Sequence, residues 1–287
     1  MRLPIAQIDA FARHAFEGNP AAVMPLSEWL EDDVLQKIAA ENNLSETAFL
    51  VASEDDSADF DLRWFTPAVE VVMCGHATLA SGHFVLSSDP DRERVRFRTR
   101  KAGMLEVARA GGSYELALPA WVPSPKPLPD IVAGLGIDSA VETLWHEHLY
   151  ALVVLESADQ VRALTPDFRA LAAGGDLLTI ATAPGDETDI ISRAFAPGGG
   201  IDEDPVTGSA HAVAVPYWAK RLGRDKFTAF QASARGGYLD CRLEGDRVIL
   251  GGNCVTVLEG TFLLGWPKDP PRHGEDFSPP AFRSRFP

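Results

Sequence analysis

Apolar positions along this chain repeat far more often with the period of strands than with that of helices. Ile5–Phe11 reads as an opening strand with Ile8 and Ala10 on one face, and Ala48–Ala52 as a second. In Phe60–Phe65, Phe60, Leu62 and Trp64 alternate with polar neighbours. Pro67 then ends that strand, because it has no N–H to donate to a ladder. Val95, Phe97 and Thr99 alternate with Arg94, Arg96, Arg98 and Arg100, which predicts a strand whose basic face is solvated and paired with carboxylates. Strands near Leu105 and Leu116 flank Gly111-Gly112, and the unbroken apolar run Leu149–Leu155 predicts a buried strand. Leu177–Ala181, Ile190–Phe195, Phe227–Gln231, Gly237–Leu243 and Val248–Leu250 complete the set.

Helical spacing is confined to a few segments. Leu30, Val34, Leu35, Ile38 and Ala39 predict a helix over Glu31–Glu41, with Ser27 to cap its start and Asn42-Asn43 suited to its end. Cys74-Gly75-His76-Ala77-Thr78 leads into Leu79, Ala80, His83 and Phe84, an apolar helix rich in small residues. Thr207-Gly208-Ser209-Ala210-His211 opens another that runs towards Leu222, with a kink expected at Pro216. Pro166–Leu171 opens a short one.

The five prolines between Pro119 and Pro129 mark a stiff, extended link, dividing the chain into 1–120 and 121–266. The six prolines of 267–287 predict an extended or disordered tail. Gly75-His76-Ala77 and Gly208-Ser209-Ala210 stand about half a chain apart. Each follows a strand and loop, and each opens an apolar helix. Two weakly similar halves, each with one central helix wrapped by strands, account for the echo; chance recurrence of a Gly-small motif is the competing account.

Composition narrows the function. With 287 residues, 46% hydrophobic and 23% charged, the chain has ample material for a core. Forty-one acidic against 26 basic residues give a net charge of −15, which argues against nucleic acid as a partner. No run approaches the length of about 18 apolar residues that a membrane helix needs, so no membrane association is expected. Asp9 interrupts the place where a signal peptide would carry its apolar core. Cys74, Cys241 and Cys254 are too few, and odd in number, for a disulfide framework. A cytoplasmic, reduced location is expected.

Two helix N-termini that face each other make an anion site, since each offers unpaired N–H groups and a positive dipole end. Glu46, at the mouth of an apolar strand, is a candidate general acid or base, with a surface glutamate as the alternative. Cys74 is either a thiolate held by the helix dipole or a small buried apolar residue. His76 lies in the first helical turn, where it can hydrogen-bond a ligand or cap locally. Asp204, three residues before Thr207, orients a ligand ammonium or caps the second helix. His146 and His148 share a strand face but lack a third ligand, so no metal site is expected. There is no Gly-rich phosphate loop, no dinucleotide fingerprint and no serine nucleophile elbow.

Several motifs together resemble the PhzF-like family, relatives of the phenazine-biosynthesis isomerase. They are Gln7-Ile8-Asp9-Ala10-Phe11, Phe16-Glu17-Gly18-Asn19-Pro20-Ala21-Ala22-Val23, Asn43-Leu44-Ser45-Glu46-Thr47-Ala48-Phe49 and Arg63-Trp64-Phe65-Thr66-Pro67. Cys74-Gly75-His76-Ala77-Thr78, Glu203-Asp204-Pro205-Val206-Thr207-Gly208-Ser209-Ala210-His211 and Gln231-Ala232-Ser233-Ala234-Arg235-Gly236-Gly237 follow in family order. The resemblance implies a diaminopimelate-epimerase-like α/β fold: two pseudo-symmetric halves, each a curled, mostly antiparallel sheet around a central helix. It also implies a cleft between the halves and a homodimer. By the same resemblance Glu46 is the proton-shuttling acid/base of a cofactor-free isomerisation. A small carboxylate substrate is then bound by Asn19, Gly75, His76, Asp204, Thr207, Gly208 and Ser209, with Cys74 and Arg235 as secondary candidates. In the phenazine enzyme that substrate is a cyclohexadiene amino acid whose double bond migrates. Related racemases place one cysteine on each side of the cleft; here the stretch from Asp204 to Ser209 has none, which disfavours a two-thiol racemase. A racemase using Cys74 with another partner, and a non-enzymatic binder of small anions or proteins, remain as alternatives. The loops Ala12–Glu17 and Ala183–Asp189 are expected to line the cleft.

Overall fold

The computed structural model describes residues 1–265, so the predicted tail 267–287 lies outside the described residues. The first half comprises β1 (Arg2–Ala10), β2 (Asn19–Leu26), α1 (Asp32–Asn42), β3 (Glu46–Ala52), β4 (Phe60–Phe65), β5 (Glu70–Val71), α2 (Gly75–Ser88), β6 (Arg94–Thr99), β7 (Met104–Ala110) and β8 (Ser113–Pro119). The second begins with β9 (Ser124–Pro125), α3 (Pro129–Gly134), β10 (Glu142–His146), β11 (Tyr150–Val154), α4 (Ala158–Arg162), α5 (Phe168–Ala172), β12 (Leu178–Pro184) and β13 (Ile190–Ala196). It continues through a 3-10 turn at Pro197–Gly199, β14 (Ile201–Asp204), α6 (Gly208–Leu222), β15 (Lys226–Gln231), β16 (Gly237–Glu244), β17 (Arg247–Gly252) and β18 (Cys254–Leu263).

The two halves repeat one strand pattern. The first runs β1-β2-β3-β4-β6-β7-β8, with β2/β3 and β4/β6 parallel and the other pairs antiparallel. The second runs β10-β11-β12-β13-β15-β16-β17, with β11/β12 and β13/β15 parallel and the other pairs antiparallel. The halves join where β8 pairs antiparallel with β17. Within the second half β9 lies against β10, and β18 crosses over to pair with β1 of the first. By sequence, Cys254–Leu263 went with the second half; its hydrogen-bond partner is the first strand of the chain.

α2 and α6 are the two axes. Ten residues of each are buried, on every face, because glycine, alanine, serine and threonine let the sheet close tightly around the helix. Thr78 and Ser81 satisfy their hydroxyls on the carbonyls of Cys74 and Ala77, one turn back, so these polar residues need no external partner. At Gly82 an added side-chain carbon would lie 2.3 Å from Val107 Cγ1 on β7. Gly82→Ala is therefore expected to cost about 1–3 kcal/mol by overpacking. Chemical denaturation checks this, and unchanged stability would mean that β7 yields freely.

Local expectations differ from the structure in identifiable ways. Asn19–Leu26 carries Pro20 and Pro25, which disguise it as a loop, yet it forms β2 between β1 and β3. The residue capping α1 is Glu31, not Ser27, while Asn43 closes the helix at φ 49° as expected. Pro216 does not interrupt α6. Its missing N–H frees the Ala212 carbonyl, which accepts instead from the Trp121 backbone N–H at 2.9 Å, docking the proline-rich link. The basic face of β6 is paired as expected, Arg94 with Glu106, Arg96 with Asp59 and Arg98 with Asp55 and Asp61, and Arg100 just beyond the strand pairs with Asp32 and Glu70. Among the described residues, no helix is long and apolar enough to cross a membrane.

Candidate active site

The N-termini of the two central helices meet. A side-chain carbon added to Gly75 would lie 3.2 Å from Gly208 Cα, and the reverse holds at Gly208. Cys74 and Thr207 hold the equivalent N-cap positions with extended backbones, at φ −142° and −112°. Neither side chain caps its own helix. The two positive dipole ends are thus directed at one place, with free amides beside backbone that carries no side chain. Asp204 does not cap α6, as the sequence left open. Its Oδ2 accepts from the Thr207 hydroxyl at 2.5 Å, and its Oδ1 accepts from Asn19 Nδ2 at 2.8 Å.

Around this junction the structure gathers Asn19, Glu46, Cys74, His76, Asp204 and Thr207, all buried. Glu46, the first residue of β3, places Oε2 2.9 Å from His76 Nε2. The pair is at ion-pair distance but off the line of a good hydrogen bond, so this oxygen keeps accepting capacity. Cys74 Sγ lies 3.5 Å from His76 Nδ1. Asn19 opens β2 and is fully buried; its amide nitrogen donates to Asp204 Oδ1 and to the Val206 carbonyl, at 2.8 and 2.9 Å. Those bonds use both of its protons, although His76 Nδ1 stands only 3.2 Å away. The remaining partner for Nδ1 is the Cys74 sulfur. Asn19 belongs to the first half and Asp204 and Val206 to the second, so this one side chain ties the cleft walls together.

Two further residues complete the site. Gln231, at the end of β15, accepts from the Thr207 N–H at 2.8 Å and donates to the Asp204 carbonyl at 2.8 Å. It falls inside one of the family motifs, but nothing local in the sequence points to this role. Tyr150 opens β11 as Asn19 opens β2; burial raises its phenol pKa, opposed by its interaction with the Ser209 hydroxyl. Arg235 stands apart from the cleft cluster. It binds the Gly18 and Glu17 carbonyls at 2.8 and 2.9 Å and Asp9 Oδ1 at 2.9 Å, so it holds the loop entering Asn19. Gly18 itself has φ +67°, and a side-chain carbon there would lie 2.1 Å from the Ala10 carbonyl oxygen, so only glycine fits. Ala12–Glu17 therefore borders the site. Ala183–Asp189 does not: Asp189 bonds Thr228 and Arg224 at the opposite, C-terminal end of α6.

Electrostatics follow from burial. Burial pushes the Cys74 thiol up to about 11, reinforced by the Glu46 charge, so the helix dipole does not yield a thiolate at neutral pH. Burial alone would depress His76, but Cys74 and Glu46 together hold it well above the ordinary histidine range. Burial raises Asp204 to about 6, aided by the Glu46 charge and opposed by His76, Thr207 and Asn19. His211, on α6, is lowered to about 4 by burial, so it is neutral, with Nδ1 donating to the Thr207 carbonyl.

Asp204 gives a signed prediction. Its folded pKa exceeds the unfolded value of about 3.9, so the native state retains a proton that the unfolded chain has lost between about pH 4 and 6. Its contribution to stability therefore falls as pH rises through that window and is level above it. Asp204→Asn should gain on the wild type by up to about 2–3 kcal/mol between pH 4 and 7. Paired denaturation curves cancel every other titrating group. A difference independent of pH would contradict the raised value.

The rings of His146 and His148 pack on Trp121, His146 stacked at 15° and a centroid distance of 5.6 Å, His148 at 4.9 Å. Cys241 and Cys254 lie on β16 and β18 and do not join the Glu46, Cys74 and His76 group.

The family model for phenazine biosynthesis-like proteins (PhzC-PhzF) matches residues 8–260. This chain belongs to that family. An uncharacterized isomerase of Pseudomonas aeruginosa is 45% identical over 266 residues, covering 92% of this chain and all of the relative. A second from the same organism is 47% identical over the same extent. A PhzF-family crystal structure from Enterococcus faecalis superimposes with a TM-score of 0.84 at 43% identity, covering 92% of this chain and 100% of that one. The phenazine biosynthesis-like fold expected from the motifs, with its curled sheets and epimerase-like architecture, is the fold observed. The chain is an isomerase-family enzyme.

Proposed function

We propose that this protein is a cofactor-independent isomerase that moves a proton, and with it a double bond, within a small cyclic or unsaturated amino or carboxylic acid. The observation that carries the reading is the Glu46–His76 pair, 2.9 Å apart, beside two uncapped helix N-termini that meet at Gly75 and Gly208. The free amides of both helices bind the substrate carboxylate. Glu46 removes a proton from the carbon next to the double bond. The resulting delocalised anion draws its negative charge towards the helix ends and the His76 imidazolium, groups already oriented before the reaction. Glu46 then returns the proton at the far end of the three-carbon unit, and the double bond shifts.

The position opposite Cys74 argues against a two-thiol racemase. The equivalent N-cap residue of α6 is Thr207, whose hydroxyl is committed to Asp204, so no second sulfur faces the first. Cys74 itself is protonated and turned towards His76.

Carboxylate binding is testable without knowing the substrate. In a titration with small unsaturated carboxylates followed by amide NMR, Gly75, His76, Gly208 and Ser209 should shift together. Shifts at one helix start alone, or only on the exposed arginines of β6, would contradict a shared anion site.

A further inference from the structure

We propose that Tyr150 is a positioning residue for substrate binding: its phenol holds the Ser209 hydroxyl at the start of α6 and aims it at the substrate carboxylate. The inference rests on the carboxylate-binding reading given above and adds to it a residue from the second half of the chain.

The repeat between the two halves shows how the pair arises. β3 and β12 are each seven residues long, and each pairs in parallel with the strand before it. Glu46 and Leu178, their first residues, therefore hold the same place, opposite Ala21 and Tyr150. His76 and Ser209 correspond as the second residues of α2 and α6. In the first half the polar group that meets the helix start comes from Glu46, and the neighbouring Ala21 is small. In the second half Leu178 has no polar atom, and the polar group comes from the neighbouring strand as Tyr150. Its phenol interacts with the Ser209 hydroxyl and lies in the field of the Asp204 carboxylate, which places it at the helix junction. Tyr150 with Ser209 is thus the second half's counterpart of Glu46 with His76.

The two pairs do different work. Burial raises the phenol pKa, so Tyr150 keeps its proton at neutral pH and is a donor, not a second base. A phenol is more acidic than an aliphatic hydroxyl, so it donates to Ser209 Oγ and leaves the serine proton for an acceptor in the cleft. Hydroxyls in series polarise one another, which strengthens the last bond of the chain. That bond falls on the carboxylate already attracted by the free amides and dipole of α6. A serine alone turns among three rotamers; one tied to a phenol is already oriented when the ligand arrives. The phenol is itself held. The Tyr150 ring packs on Trp121 at a centroid distance of 5.2 Å, and the Trp121 backbone N–H donates to the Ala212 carbonyl at 2.9 Å. The proline-rich link between the halves thereby supports the site.

The test is a double-mutant cycle on the full chain, with benzoate as the probe because it is a planar ring carboxylate with no double bond to move. Affinities are read from amide NMR shifts at Gly75 and Gly208, and circular dichroism verifies that each variant is folded. Ser209→Ala should weaken benzoate about tenfold, and Tyr150→Phe, which keeps the ring on Trp121, by about three- to tenfold. The double variant should bind no more weakly than Ser209→Ala alone, because the phenol acts only through the serine. Ser209→Thr, which keeps a hydroxyl, should retain the dependence on Tyr150 that Ser209→Ala loses. A purely structural Tyr150 would instead give losses that add. Additive losses, or a Tyr150→Phe variant that binds like the wild type, would overturn the proposal and leave the shared anion site standing. Wild-type Gly75 and Gly208 amides that do not move with benzoate would overturn that anion site, and this inference with it.

Discussion

Glu46→Gln is expected to slow proton transfer by about 10²–10⁴-fold, the usual contribution of a positioned general acid or base, with the fold intact. The replacement keeps the shape of a side chain that is only 8% exposed and leaves the β3 pairing with β2 and β4 untouched. What disappears is the ability to accept and return a proton next to His76. Ligand binding at the helix starts should change little, because the amides of Gly75 and Gly208 hold the carboxylate. The loss therefore falls on kcat rather than KM. A rise in KM with kcat unchanged would make Glu46 a binding residue instead of the acid/base.

Asn19→Leu should produce the largest loss of stability among the site residues. Asn19 is completely buried, and its amide satisfies both Asp204 Oδ1 and the Val206 carbonyl across the two halves. Leucine fills similar space but donates nothing, so two buried acceptors lose their partner at about 1–3 kcal/mol each. A total of about 2–6 kcal/mol is expected, or a fall of roughly 5–15 °C in Tm for a chain of this size. Part of that loss is recoverable. With its donor gone, Asp204 is harder to ionise, so the variant should be less impaired at pH 5 than at pH 7. Thermal melts at both values check this, and a loss below about 1 kcal/mol at pH 7 would show that Asn19 is not the tie between the halves.

The parts of this molecule legible in sequence are those whose chemistry is local. The helix starts at Gly75 and Gly208 announce themselves because a glycine, a small residue and an apolar run are contiguous, and the repeat between them already implies two similar halves. Asp204 and Thr207 stand three residues apart and hydrogen-bond in the structure at that spacing. Long-range features were not legible in this way. β18 pairs with β1 from the other end of the described chain, and nothing local in Cys254–Leu263 names its partner. β2 was hidden by Pro20 and Pro25. Gln231 and Tyr150 reach the site only through the parallel β13/β15 and β11/β12 pairings, which place strand ends beside a helix start. Ala183–Asp189, expected to line the cleft, is carried by the strand direction to the far end of α6.

The central claim is that one carboxylate, Glu46, moves a proton between two carbons of a small unsaturated acid. Its most direct measurement is catalysis in D2O with cyclic dienyl amino acids, proline and other amino acids, read by NMR and mass spectrometry. Deuterium should enter a dienyl acid at the carbon that receives the proton, in step with double-bond migration, for the wild type and not for Glu46→Gln. Deuterium confined to the α-carbon of an ordinary amino acid, and persisting in Glu46→Gln, would contradict the account and favour a racemase.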